Sequence, residues 1–110
     1  TGALMGDTGE STEAVRTRVE QARAAAAHRW SEFGWSTNAE VPGPALRQRF
    51  RLAPSALKPV EWALRKGAIT ARGADRAIRV AWTIGDLAAL DRPGETEVAA
   101  ALDFRDRGVA

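Results

Sequence analysis

The chain has 110 residues, of which 45% are hydrophobic and 27% charged, a composition that fits one globular domain with a single modest core. It has no cysteine and one histidine, His28, which excludes a disulfide framework, a thiolate metal site and a zinc site. It also lacks a run of about 18 apolar residues and a basic-then-apolar leader, so we expect a cytoplasmic protein without a membrane partner.

The charge of the chain does not by itself identify a partner. The net charge is +2 and the isoelectric point is near 9.9. Acidic residues are interleaved with basic ones, and arginine outnumbers lysine by 14 to 2. Together with abundant alanine, this bias is typical of a GC-rich genome. The basic excess is too small to predict nucleic-acid binding.

Helical periodicity runs through the sequence and strand alternation is nearly absent, which predicts an all-α fold. Residues 1–10 contain three glycines and no period, and we expect a flexible lead-in. Ser11 is the predicted N-cap of a first helix that reaches about residue 32, with Arg29 on its polar face. Residues 33–43 hold turn formers, which predicts a loop that Trp35 attaches to the core.

Prolines and a glycine mark the next two helices. Pro44 stands where a first helical residue is expected, and residues 45–50 are predicted to form a short second helix. The third helix is predicted over residues 54–66, because a proline opens it and Gly67 ends it. Pro59 lies about one turn inside, so the helix either begins later or bends at that point.

The fourth helix is the longest predicted element of the second half. Thr70 is its N-cap, and a broad apolar face extends to about residue 90, a length of roughly 30 Å. Residues 91–94 form a turn, and residues 95–104 form a fifth helix. The sequence therefore predicts a small bundle of about five helices.

The common catalytic and DNA-reading motifs are missing. There is no GxxxxGK[ST] phosphate loop, and His28 has no partners for a nucleophilic triad, so we predict that it lies on the flank of the first helix. A helix-turn-helix would need apolar residues at two positions that Gly73 and Arg76 occupy. Nothing in the chain predicts an active site or a metal site.

One arginine stands at an unfavourable place in the fourth helix. If Thr70 is the N-cap, Arg72 is the second residue of the helix, where a cation opposes the helix dipole at a cost of roughly 0.3–1 kcal/mol. Gly73 adds about 1 kcal/mol relative to alanine. Two unfavourable residues in succession indicate a position kept for another purpose.

Two interpretations of Arg72 remain open at this stage. In the first, the guanidinium and the helix N-terminus bind an anion such as phosphate, and Arg76 and Arg79 extend a basic stripe that could contact an anion or DNA. In the second, Arg72 is a surface residue and Asp75 offsets the dipole. Asp75 could also pair with Arg79, four residues later.

Four segments carry a family resemblance. Thr-Ala-Arg-Gly stands at residues 70–73, and Arg-Val-Ala-Trp-Thr-Ile-Gly-Asp-Leu at residues 79–87. Ala-Leu-Asp-Phe-Arg follows at residues 101–105, and Asn-Ala-Glu-Val-Pro-Gly-Pro-Ala-Leu-Arg lies upstream at residues 38–47. Together they resemble the C-terminal segment of magnesium chelatase-like AAA+ ATPases of the competence type, the ComM family. Trp82 departs from that pattern, because the family often has arginine there.

The resemblance implies a role for the whole chain. Residues 11–105 would be the helical lid domain of an AAA+ protein, residues 106–110 a short tail, and the fragment would not be an enzyme by itself. Arg72 matches the sensor 2 arginine, which contacts the γ-phosphate of a nucleotide, here expected on a neighbouring subunit. The fragment would hold no cofactor, whereas the parent protein would use ATP and Mg²⁺. Its partners would be its own AAA+ core and the neighbouring subunits of a homo-oligomeric ring.

Two other classes of function remain. Family members are associated with DNA remodelling, and more distantly with magnesium insertion into porphyrins, so the alternative is a DNA-binding helical module. It would use the first helix and the stripe of Arg72, Arg76 and Arg79. A third interpretation is a protein-interaction bundle in which all four tryptophans belong to the core, and we expect most of them to be core in any case.

Overall fold

A computed structural model describes residues 10–109, with side chains through residue 104. The predicted lead-in lies outside the described residues except for Glu10. Over this range the chain forms five α-helices and two short 3₁₀ helices, and no strand, which confirms the all-α prediction. The α-helices are α1 (Thr12–Trp30), α2 (Gly43–Arg47), α3 (Pro54–Arg65), α4 (Ala71–Leu87) and α5 (Glu95–Val109), and the 3₁₀ helices are Ser31–Phe33 and Asn38–Glu40.

The start of α1 is the predicted one, but the segment after it is more ordered than a loop. The Ser11 hydroxyl accepts a hydrogen bond from the Ala14 amide at 3.0 Å. The segment predicted as a loop contains the last residue of one 3₁₀ helix and all of a second, which a capping box of Thr37 and Glu40 begins. The Glu40 carboxylate accepts the amides of Ser36 and Thr37 at 2.5 and 3.1 Å, and these bonds lower the pKa of Glu40.

Helix α2 differs from the prediction at both ends, whereas α3 differs only by ending one residue earlier, at Arg65. α2 begins two residues earlier than predicted and ends at Arg47, because Gln48 leaves the helical region and Phe50 turns back to donate its amide to the Ala45 carbonyl at 2.9 Å. α3 begins at Pro54 and remains one helix through Pro59, so the expectation of a later start is wrong. Pro59 lies in the second turn, where its ring removes one backbone hydrogen bond.

The last two helices also end at different residues from those predicted. α4 ends at Leu87 and not at residue 90, because Ala89 adopts a left-handed conformation with φ 61°. The Leu90 amide then bonds back to the Gly85 carbonyl at 2.9 Å. α5 does not end at Phe104 but continues to Val109.

The core is built around Trp30 at the end of α1, which is fully buried. Its ring makes edge-to-face contacts with Trp82 and Phe50 at centroid distances of 5.5 and 4.8 Å. Trp35 is half-buried and contacts Trp30 at 5.9 Å, so it does attach the segment after α1 to the core. Trp62 is 57% exposed, which contradicts the interpretation that places all four tryptophans in the core.

Helix α4 occupies the centre of the bundle. It packs against α1 on one side and α5 on another, and α3 packs against α5. Within the described residues, no helix is long and apolar enough to span a membrane. The same residues contain no group of three or more histidines, cysteines or acidic residues placed to hold a metal ion.

Candidate functional site

The first turn of α4 has the geometry that the sequence predicts. Thr70 is extended, with φ −92° and ψ 171°, and its hydroxyl accepts the Gly73 amide at 3.0 Å. Arg72 is therefore the second residue of the helix, as expected. Gly73 and Ala74 are buried while Arg72 is exposed, so the packed side of this turn holds the arginine at the surface.

Asp75 forms an ion pair with a residue of a different helix from the one expected. Its carboxylate pairs with the Arg47 guanidinium of α2, and neither the predicted pair with Arg79 nor a contact with Arg72 forms. The Asp75 side chain is only 15% exposed, so the pair lies against the protein and not in open solvent. Gly43 makes this possible, because a Cβ at Gly43 would overlap the Asp75 carboxylate.

Arg79 is also engaged inside the domain. It is half-buried, and its Nε donates a hydrogen bond to the Val41 carbonyl at 2.8 Å. This bond connects the middle of α4 to the segment that precedes α2. By sequence spacing Arg79 lies in the predicted stripe. Its side chain, however, is hydrogen-bonded to the backbone of the segment before α2.

Arg72 and Arg76 remain as unpaired cations. Both are exposed, and among the residues that the structure describes neither has an ion pair or a hydrogen-bond partner. They lie four residues apart, on one side of α4. Asp75, which lies between them in the sequence, is paired with Arg47 and does not offset their charge. Two free guanidiniums one turn apart at a helix start can bind a phosphate-like anion.

Sequence reasoning missed the main buried polar cluster, which joins α1 to α4. Arg29 was placed on the polar face of α1, but its side chain is only 20% exposed and pairs with Asp86, which is 2% exposed. The guanidinium reaches both carboxylate oxygens, one at 3.2 Å. It also lies 4.6 Å from the centroid of the Trp82 ring.

Asn38 completes this cluster from the second 3₁₀ helix. Its side-chain oxygen accepts the Trp30 indole N–H at 2.8 Å, and its amide donates to Asp86 and Thr83, each at 3.0 Å. The signal for this cluster is present in the sequence. Asp86 follows Trp82 by four residues on the apolar face of α4, and a carboxylate in that position needs a buried cation.

The predicted site residues thus divide into two groups. Arg72 and Arg76 share an exposed surface, and Arg79 is held one turn further along by the Val41 carbonyl. His28 is exposed on α1, as predicted.

Comparison with known proteins gives the family. Residues 9–105 match the family model described as "Magnesium chelatase, subunit ChlI C-terminal". The chain belongs to this family. The match covers all of α1 to α4 and most of α5, so the ChlI C-terminal domain and the helical bundle coincide. The chain is thus the C-terminal helical lid of a magnesium chelatase-like AAA+ protein.

Curated mycobacterial proteins are similar to this ChlI C-terminal domain. The uncharacterized protein Rv2897c of Mycobacterium tuberculosis and the uncharacterized protein Mb2921c of Mycobacterium bovis are each 52% identical to it over 107 residues. That alignment covers 97% of this chain and 21% of each relative, so the chain spans about a fifth of their length. No solved structure matches the chain significantly.

Proposed function

We propose that this lid domain senses ATP for its parent AAA+ protein, with Arg72 as the sensor 2 arginine that contacts a γ-phosphate in a ring of subunits. The observation that carries the proposal is the unpaired, exposed Arg72 on a capped first turn of α4. We also propose that the parent protein is of the competence type, that it is cytoplasmic, and that it uses ATP and Mg²⁺.

Local energetics support a ligand for Arg72. A cation at the second helical position lowers helix stability by roughly 0.3–1 kcal/mol, and the carboxylate that could offset it is paired with Arg47. The position is therefore poor for stability but suited to an incoming anion. A planar guanidinium binds phosphate oxygens through two parallel hydrogen bonds, and the helix dipole adds a favourable field.

The rest of the catalytic apparatus would come from other parts of the assembly. The sequence has no phosphate-loop motif, and the described residues contain no group of three or more acidic or histidine side chains placed for a metal ion, so nucleotide and Mg²⁺ would be held by the AAA+ core. Arg76 would add a second positive charge one turn from Arg72. The DNA-binding alternative on the same stripe is less favoured, because Arg79 already donates to the Val41 carbonyl.

The test is Arg72→Gln in the full-length parent. Loss of a charge-assisted contact of about 1.5–3 kcal/mol would lower ATP turnover about 10- to 100-fold. In the isolated domain the same change should leave folding intact and raise stability by roughly 0.3–1 kcal/mol, because it removes a cation from the helix start. Arg65→Gln, on α3, is the matched control and should leave turnover unchanged.

Two results would contradict the proposal. One is normal ATP turnover in the Arg72→Gln parent, which would remove the role of Arg72. The other is robust ATP hydrolysis by the isolated 110-residue chain, since its sequence has no phosphate-loop motif.

A further inference from the structure

The ion pair between Arg47 and Asp75 joins α2 to the first turns of α4, beside the arginine proposed to sense ATP. Asp75 follows Arg72 by three residues, and residues at that spacing are neighbours on one face of a helix. The Asp75 carboxylate nevertheless binds the Arg47 guanidinium, and its side chain is mostly buried while that of Arg47 is half-exposed. The carboxylate closest to Arg72 in the sequence of α4 is thus held away from it.

Without Arg47, the Asp75 carboxylate has one free cation within reach on its own helix. Arg79, four residues later, is fixed by the hydrogen bond from its Nε to a backbone carbonyl before α2. Arg76 is the adjacent residue, and adjacent side chains do not face each other on a helix. Arg72 is exposed and has no ion pair among the described residues. A released carboxylate would therefore pair with Arg72.

Gly43, the first residue of α2, leaves the space that this ion pair occupies. A Cβ at Gly43 would overlap the Asp75 carboxylate and would lie 2.8 Å from a guanidinium nitrogen of Arg47. The atoms nearest to such a Cβ belong to the ends of two flexible side chains and not to the backbone. A methyl group at this position would therefore displace the ion pair while the helices keep their places, and it would change no charge.

We propose that Arg47 and Gly43 are positioning residues for the anion site of the lid, because they hold Asp75 toward α2 and so keep the Arg72 guanidinium free. This role rests on the ATP-sensing function proposed for Arg72. Neither positioning residue needs to contact the nucleotide, because both act by removing a competitor. A carboxylate paired with Arg72 would withhold its hydrogen-bond donors from a phosphate, and its negative charge would repel the same phosphate.

A purely structural role for the ion pair predicts a different pattern of mutational effects. If Arg47 served only to fix α2 on α4, loss of either partner would have the same effect, because one interaction disappears in both cases. If Arg47 holds the carboxylate away from Arg72, loss of Arg47 lowers ATP turnover and loss of the Asp75 carboxylate does not. The difference between the two partners is therefore the property to measure.

Steady-state ATP turnover of the full-length parent measures this difference. Arg47→Gln should lower turnover about two- to fivefold, the effect expected from one competing ion pair at the surface. Arg47→Lys should retain most of the activity, because an ammonium group also pairs with the carboxylate. Gly43→Ala should lower turnover by a similar factor although it removes no charge. Asp75→Asn should leave turnover normal, because it removes the competing carboxylate itself.

Two double variants and a matched control identify the route of the effect. Arg47→Gln combined with Asp75→Asn should return turnover to normal, because no carboxylate is released. In an Arg72→Gln parent, Arg47→Gln should cause no further loss, since it acts only through that guanidinium. Arg51→Gln is the control, because Arg51 is about as exposed as Arg47 but pairs with Glu61 of α3. It should leave turnover unchanged, and circular dichroism should show the same helix content in every variant.

Normal turnover in the Arg47→Gln parent would overturn the positioning role, and so would a loss that Asp75→Asn does not rescue. Equal losses in Arg47→Gln and Asp75→Asn would overturn it as well, because they would show a purely structural pair. The Arg72→Gln parent separates this role from the function on which it rests. Reduced turnover in Arg72→Gln with normal turnover in Arg47→Gln would remove only the positioning role, whereas normal turnover in Arg72→Gln would remove both.

Discussion

The three arginines of α4 have the same side chain but different surroundings. Arg79 is half-buried and bonded to the Val41 carbonyl, whereas Arg72 and Arg76 are exposed and unpaired in the described structure. Sequence spacing places all three on one stripe. Asp75 does not neutralise Arg72 and Arg76, because it is paired with Arg47 from a different helix.

Asp86 should be the most sensitive charged residue of the domain. Asp86→Ala would leave Arg29 mostly buried without its carboxylate, and we expect the free energy of unfolding to fall by about 3–5 kcal/mol. Urea denaturation followed by circular dichroism measures this change. Glu61→Gln is the control, because its pair with Arg51 is about half exposed on each side and should change stability by about 1 kcal/mol or less. Equal effects of the two substitutions would contradict the assignment.

At the scale of elements, α3 and α4 end with the same backbone motif but different residues. In each, the third residue after the helix bonds back across the last turn: Ala68 to the Ala63 carbonyl at 2.9 Å, and Leu90 to the Gly85 carbonyl at 2.9 Å. The residue before that amide is left-handed in both, Gly67 with φ 72° and Ala89 with φ 61°. Glycine adopts this conformation without strain, and alanine does not.

This difference predicts opposite effects of exchanging the two residue types. Gly67→Ala should lower the free energy of unfolding by about 1 kcal/mol, for backbone reasons alone, because a Cβ there meets no atom within 4 Å. Ala89→Gly should raise it by about 0.5–1 kcal/mol. Thermal unfolding of the two variants beside the parent chain measures both changes. Effects of the same sign would show that the cap conformation does not control these helix ends.

The same motif explains which helix boundaries could be predicted. Gly67 is a recognisable helix C-terminal signal, so the sequence locates the end of α3 to within one residue. Ala89 is not recognisable as a helix end, because alanine favours helix, so the sequence predicts an end near residue 90 where the helix ends at Leu87. Pro59 shows the opposite case: a local breaker is tolerated within α3, where tertiary packing of the apolar face offsets one missing hydrogen bond.

For the whole molecule, the core draws on all five helices. Its buried residues include Trp30 of α1, Leu46 of α2, Val60 of α3, Ala81 of α4 and Val98 of α5. Because no helix buries its apolar face alone, the helices should not unfold independently.

We therefore expect one cooperative unfolding transition for the domain. In urea, the midpoints measured by far-ultraviolet circular dichroism and by tryptophan fluorescence should coincide, because the rings of Trp30 and Trp82 report on the core that holds the helices together. Separate midpoints, with helix loss after the fluorescence change, would mean that part of the bundle persists without the core.

What the sequence determined by itself was the fold class, the start of α1 at Ser11, the cap at Thr70 and the position of Arg72 in the first turn of α4. These depend on contacts between residues a few positions apart, and local chemistry is enough to predict them. The tertiary structure alone decided that Arg29 pairs with Asp86, 57 residues away, and that Trp62 lies outside the core. Such contacts depend on how helices pack, because the packing determines which charges are buried together and which surfaces remain exposed.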